Sequence, residues 1–156
     1  MSNDIKIKNG LTIKLKGAAQ NIVKKAAFPK SVSINPSDFH LIVPKMAIKV
    51  GEKVSQGDVV FFSKKDERIK FCSPVDGIIK DVVRGAKRKI IEIIIDVNKK
   101  QILKDSKSFQ NDDLNSEEVK EILLKSGCWP FIKQRPYDII ANPSDNPKSI
   151  FISGFN

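Results

Sequence analysis

Two kinds of hydrophobic pattern alternate along this chain. Short runs in which apolar and polar residues alternate, or in which Val, Ile and Phe cluster between turn residues, predict strands. The first lie within Ile5–Val23 as IKIK and LTIKLKG, separated by the Asn9-Gly10 turn signal. A linker-like stretch with Pro29 and Pro36 follows. Five further strands are expected at Met46–Val50, Asp58–Phe62, Ile69–Cys72, Gly77–Val83 and Ile90–Val97, each rich in β-branched or aromatic residues and bounded by Gly, Pro or Asp. After the polar stretch Lys99–Asn115 the period changes. Val119, Ile122 and Leu123 recur at spacings of three and four, which predicts a helix over Glu117–Ser126. Asn115 or Ser116 caps it, Glu117 and Glu118 suit its positive end, and Gly127 stops it. Pro130, Pro136, Pro143 and Pro147 then mark an extended, turn-rich connector. Ser149–Ser153 reads as a strand followed at once by Gly154, the way an α/β domain often opens, so a longer protein is expected to continue from here.

Within the middle strands two stretches resemble one another. In IKVGEKVSQGDVVFF (Ile48–Phe62), Gly51, Val54 and Gly57 sit three residues apart and lead into an apolar strand; in SPVDGIIKDVVRG (Ser73–Gly85), Pro74 and Gly77 do the same. Each is a strand, a tight turn and a strand, with glycine where the backbone takes positive φ or approaches a neighbour closely. Two such units packed face to face close a flattened barrel, and VGEKVSQGDVV with SPVDGII resembles the barrel-sandwich hybrid of the biotinyl/lipoyl carriers. The expected fold is therefore mainly β (α+β). It comprises N-terminal strands and linker over 1–40, a barrel-sandwich hybrid over 41–100, a helix and proline-rich connector over 101–148, and the first strand of a following α/β domain over 149–156.

Composition narrows the chemistry. No apolar run reaches the roughly 18 residues a bilayer-spanning helix needs, and MSNDIKIK lacks the apolar core of a signal peptide, so a soluble chain is expected. Cys72 and Cys128 have no CxxC or CxxH neighbour and read as reduced thiols. His40 is the single histidine, so neither a structural zinc site nor a His-based catalyst is expected, and no catalytic or metal-binding residue is assigned. Net charge is +10, with a surplus of six in residues 1–30 and again in 41–100. Such a surface attracts nucleic acid, anionic lipid or an acidic partner, or is merely solvated.

The remaining phrases carry a second resemblance. KIKNGLTIKLKGAAQ, VPKMAIKVGEKVSQGDVVFFSKKD, SPVDGIIKDVVRGAKRKIIEIIIDV and LKSGCWPFIKQRPYDIIANPSDNPKSIFIS follow in order. They contain Lys8 with Gly10 and Leu11, Pro44-Lys45-Met46, Arg84-Gly85 with Lys87-Arg88, Gly127 with Trp129, Arg135-Pro136 and Pro147-Lys148. Together they resemble the N-terminal part of the A-subunit family of the sodium-translocating NADH:quinone oxidoreductases. The resemblance implies a peripheral component on the cytoplasmic side of the inner (plasma) membrane, seated chiefly on the membrane-embedded B-subunit of a sodium-pumping translocase. It further implies a structural or quinone-side role, with NAD, flavins and the iron–sulfur cluster in other subunits and no cofactor in this stretch, which is itself not expected to be catalytic.

Three other readings stay open. The C-subunit of an Rnf-type electron-transport complex would add CxxCxxC motifs, which do not occur here. A biotinyl or lipoyl carrier would modify a lysine at the tip SKKDERIK; Lys64 and Lys65 lie there without the flanking residues a modifying enzyme reads. A basic nucleic-acid-binding barrel would display aromatic platforms beside Lys and Arg, yet there is one Trp, one Tyr and no RNP-type motif, so no nucleic acid is expected. The densest basic cluster is RGAKRK, and Arg84, Lys87 and Arg88 are candidate partner contacts, the alternative being a solvated hairpin turn. Trp129 is either a packing residue between helix and barrel or a further contact to a partner or quinone.

Overall fold

The computed structural model describes residues 16–17, 20–98 and 114–152. The strands expected in IKIK and LTIKLKG lie almost wholly outside these, and residues 16–17 and 20–23 are in no strand.

Nine strands and one helix follow in chain order among the described residues: β1 Ser31–Ile34, β2 Pro44–Met46, β3 Lys53–Val54, β4 Val59–Ser63, β5 Lys70–Cys72, β6 Gly77–Arg84, β7 Ile90–Val97, α1 Ser116–Lys125, β8 Lys133–Gln134 and β9 Ile139–Ile140. They form an antiparallel sheet in the order β1-β7-β6-β3, a second in the order β2-β4-β5, and a β8–β9 hairpin. Val60, Phe61 and Phe71 of one sheet meet Ile79, Ile93 and Ile95 of the other in a single buried cluster. The Phe61 and Phe71 rings stack at 4.3 Å between centroids, and Phe39 meets Phe71 edge-on at 4.6 Å. The protein is thus mainly β, with the two short sheets of a barrel-sandwich hybrid.

Two bulges explain the burial pattern of the long hairpin. Lys80 is the extra residue on β6 between the pairs Ile79↔Ile95 and Asp81↔Ile94. Ile91 is the extra residue on β7 between Val83↔Glu92 and Arg84↔Ile90. Each bulge shifts the in–out phase by one residue, so Ile90 and Ile93 both face the core and Ile91 is turned out. Gly77 marks a close approach: a Cβ there would run into the backbone oxygen of Asp96 and the Ile95 side chain. Gly51 and Gly57 both hold positive φ, 88° and 92°, as their spacing in the repeated unit requires.

Several expectations need correction. Ser31–Ile34, within the presumed linker, is an edge strand paired with β7 through Val32↔Ile95 and Ile34↔Ile93. Its four residues are recruited by the sheet, not by any strong run of their own. The strand expected over Met46–Val50 is displaced to Pro44–Met46. Ala47 N–H still donates to the Val60 carbonyl at 3.0 Å, but Lys49 N–H donates to the Glu52 carboxylate at 2.9 Å and Gly51 turns the chain, so Ile48–Val50 leave the ladder. Ser149–Ile152 form no strand; Ile150, Phe151 and Ile152 are exposed, and Ser153–Asn156 lie outside the described residues. A strand requires a neighbour for its backbone donors and acceptors, and the described residues supply none to this segment.

The helix begins at Ser116, one residue early, under a capping box. Asn115 Oδ1 accepts from the N–H groups of Glu117 and Glu118 at 3.0 and 2.9 Å, and the Glu118 carboxylate accepts from Asn115 N–H at 2.9 Å. Leu123 and Leu124 pack on the core, while Val119 stays 40% exposed. Beyond α1 the connector is more ordered than expected. Trp129–Phe131 make a 3-10 turn and β8–β9 a hairpin, and Trp129 and Ile140 join the barrel's own buried cluster.

Candidate functional site

The basic cluster occupies the turn that joins the two longest strands. Arg84 ends β6 and Ile90 opens β7. Between them Gly85 N–H donates to the Lys89 carbonyl at 2.8 Å, Arg88 N–H to Gly85 at 3.1 Å, and Lys89 N–H to Ala86 at 3.2 Å. Lys87 (φ 55°, ψ 28°) and Arg88 (φ 59°) both sit in the left-handed region. Tight hairpins reserve these central positions for Asn-Gly because a Cβ is unfavourable there. Two long basic side chains in that conformation cost of order 1–3 kcal/mol each.

The turn projects charge without neutralising it. Arg84, Lys87, Arg88 and Lys89 are all exposed, and among the described residues none forms an ion pair. Arg84 Nη1 donates across the turn to the Arg88 carbonyl at 3.3 Å, which holds its guanidinium over the strand end. The bulged Ile91 stands 45% exposed beside it. An anionic face could therefore meet four cations and one apolar side chain on a single turn. The residue types were legible in the sequence; the left-handed pair and the bulge were not, because RGAKRK lacks the glycine or asparagine at its centre that usually announces such a turn.

The structure brings Arg84, Lys87 and Arg88 together and leaves Trp129 elsewhere. Trp129 is 6% exposed, packed in the junction with α1, β5 and β9, and its Nε1–H donates to the Ala141 carbonyl at 2.7 Å. Its indole is taken up largely by this packing. Lys64 and Lys65 are exposed on the β4–β5 turn, where Lys64 N–H donates to the Val43 carbonyl at 2.8 Å.

The thiols lie near the junction between β5 and the end of α1. Cys72 is half-buried, and that burial pushes its thiol pKa up, with the neighbouring Lys70 opposing; Cys128 is exposed. Among the described residues no three Cys, His, Asp or Glu side chains gather in a group suited to a metal ion, and no helix is long and apolar enough to cross a membrane.

Comparison with known proteins gives this geometry a context. Residues 5–98 match the family model described as the NqrA N-terminal barrel-sandwich hybrid domain, and residues 114–156 match the NqrA second alpha/beta domain. The chain is 31% identical over 154 residues to the A-subunit of the Na(+)-translocating NADH-quinone reductase of Pseudomonas aeruginosa strain UCBPP-PA14, covering 97% of this chain and 35% of that protein. It is 29% identical over 154 residues to the protein of that name from Marinomonas sp. strain MWYL1, covering 97% and 34%. With the one from Hahella chejuensis it shares 31% over 158 residues, again covering 97% and 34%. The chain spans about a third of the length of the curated relatives it matches.

Proposed function

We propose, from the premise that this chain belongs to the NqrA family, that it works as part of the A-subunit of a sodium-pumping NADH:quinone oxidoreductase. The observation that carries the reading is the match, across 97% of the chain, to proteins bearing that name. In this reading the chain is a peripheral component on the cytoplasmic side of the membrane. Its role is to brace the membrane-embedded B-subunit on the quinone side. NADH oxidation and electron transfer through flavins and an iron–sulfur cluster belong to other subunits.

The basic β6–β7 turn is the contact we assign to that assembly. Basic residues close to an anionic membrane face contribute about 1 kcal/mol each within a Debye length, and an acidic patch on a neighbouring protein of the complex uses the same charges. The assignment is supported by four exposed cations on one turn, none of them in an ion pair among the described residues.

The test is affinity capture of the tagged full-length protein from detergent-solubilised native membranes, with co-purifying chains identified by mass. Recovery of a multi-spanning flavoprotein together with an NADH-oxidising flavin–iron–sulfur chain is expected. The Arg84→Glu, Lys87→Glu double variant should recover much less of both while remaining folded. Wild-type capture of soluble proteins or nucleic acid alone would remove the reading. Undiminished capture by the double variant would remove the turn from it.

A further inference from the structure

A cleft of about 340 Å³ opens between the β4–β5 turn and the β8–β9 hairpin. Its volume falls at the lower end of the roughly 300–1,000 Å³ typical of small-molecule sites, which favour such junctions. The walls are apolar, made by Leu41, Ile42, Ile69, Ile139 and Ile140. Leu41 stands 61% exposed at φ 60°, a conformation that bulky residues rarely adopt.

The polar groups of the cleft sort themselves by what they already bind. Asp66 is held by Arg68, with Nη2 to Oδ2 at 2.7 Å. Asn142 accepts from Ser144 N–H at 3.1 Å and donates to Asp145 at 3.0 Å. Ser63, Lys65 and His40 remain. Ser63 is 2% exposed overall and lines the cleft from the end of β4. Lys65 has no ion-pair partner among the described residues. All three can donate, and Lys65 adds a single positive charge.

We propose that this cleft binds a small amphipathic monocarboxylate. The carboxylate oxygens accept from the Ser63 hydroxyl and the Lys65 ammonium, and a short aliphatic chain lies against Ile42, Ile69 and Ile140. One ammonium matches one negative charge, which favours a carboxylate over a phosphate dianion. The apolar wall favours an aliphatic chain over a bare anion.

The full-length chain, methyl-labelled at isoleucine, should be titrated with hexanoate, hexan-1-ol and acetate. Hexanoate is expected to shift the methyls of Ile42, Ile69, Ile139 and Ile140 saturably and to bind about tenfold more tightly than either control, the difference of one charge-assisted contact or of the chain. Lys65→Gln and Ser63→Ala should each weaken hexanoate several-fold. Equal binding of hexanol, indifference to Lys65→Gln, or shifts spread over unrelated isoleucines would overturn the proposal. Should Ser63→Ala fail to fold, Lys65→Gln alters an exposed side chain and decides the matter alone.

Discussion

The indole Nε1–H of Trp129 donates to the backbone carbonyl of Ala141 at 2.7 Å, tying the turn after α1 to the residue that follows β9. The bond closes the C-terminal unit on itself, and Trp129 and Ile140, which belong to the same buried cluster as Phe61 and Ile93, attach that unit to the barrel core. Trp129→Phe keeps most of the ring but leaves the Ala141 carbonyl without its donor. A loss of about 1–3 kcal/mol is expected in denaturant unfolding, and Trp129→Ala should lose about 3–5 kcal/mol. A loss under about 0.5 kcal/mol for Trp129→Phe would mean water replaces the donor.

Gly127 ends α1 at φ 75°, and a Cβ placed there would come within 2.6 Å of Cys72 Sγ. Gly127→Ala therefore meets two penalties, a left-handed backbone and a collision with β5, and about 1–3 kcal/mol of destabilisation is expected. Cys72→Ala in the same chain relieves only the collision. A double-mutant cycle on thermal unfolding should show positive coupling between the two sites; strict additivity would argue against the contact.

The thiols should differ in reactivity. Burial raises the pKa of Cys72, which lowers its thiolate fraction, whereas Cys128 is exposed. Iodoacetamide at mildly alkaline pH should modify Cys128 first, read as a single added carbamidomethyl mass mapped by peptide digestion. Equal labelling of both would show that the junction opens faster than the reaction.

Lys87 and Arg88 hold left-handed conformations that glycine adopts freely. Replacing either by Gly should stabilise the fold by about 0.5–1 kcal/mol, once the greater freedom of glycine in the unfolded chain is set against the relieved strain. The same variants should lower recovery of partner chains from membranes. Greater stability with weaker assembly is the expected signature of a strained docking turn, and a fall in stability would mean that the two side chains support the turn themselves.

The hydrogen bond from Arg68 holds the Asp66 carboxyl below its ordinary value of 3.8, against the opposing effect of burial. A carboxyl depressed on folding adds stability above its unfolded value and loses it as pH falls through the folded one. The contribution should thus be intact at neutral pH and fade below about pH 4. Both partners are partly exposed, so the effect is small. Arg68→Ala should move the Asp66 titration, followed by carboxyl carbon shifts, upward toward the ordinary value; an unmoved titration would contradict the pairing.

Much of the barrel was legible because its strands announce themselves locally. Asp58–Phe62, Ile69–Cys72, Gly77–Val83 and Ile90–Val97 each bury enough Val, Ile or Phe to read as strands, and all four match to within a residue at either end. The cap at Asn115 and the stop at Gly127 were equally local, since capping uses side chains within about three residues of the helix end. What the sequence hid was pairing. Ser31–Ile34 is too short to specify itself and becomes a strand only against β7, and the β8–β9 hairpin is anchored by the shared core. At the candidate site the four cations were visible in RGAKRK, but their common presentation depends on two left-handed residues and a bulge.

The linear pattern by itself determined the fold class, the helix, the glycine positions and the charge of the β6–β7 turn, because each rests on residues close together in the chain. Tertiary structure alone decided that Trp129 is buried in the shared core. It likewise decided that Lys80 and Ile91 are bulge residues, with Ile90, Ile93 and Ile95 of β7 facing inward and Ile91 turned out. The cleft of Ser63, Lys65 and His40 is of the same kind. Residues distant in sequence converge there because a turn of one sheet packs beside a hairpin formed much later in the chain, a relation set by burial of a shared core and by no local propensity.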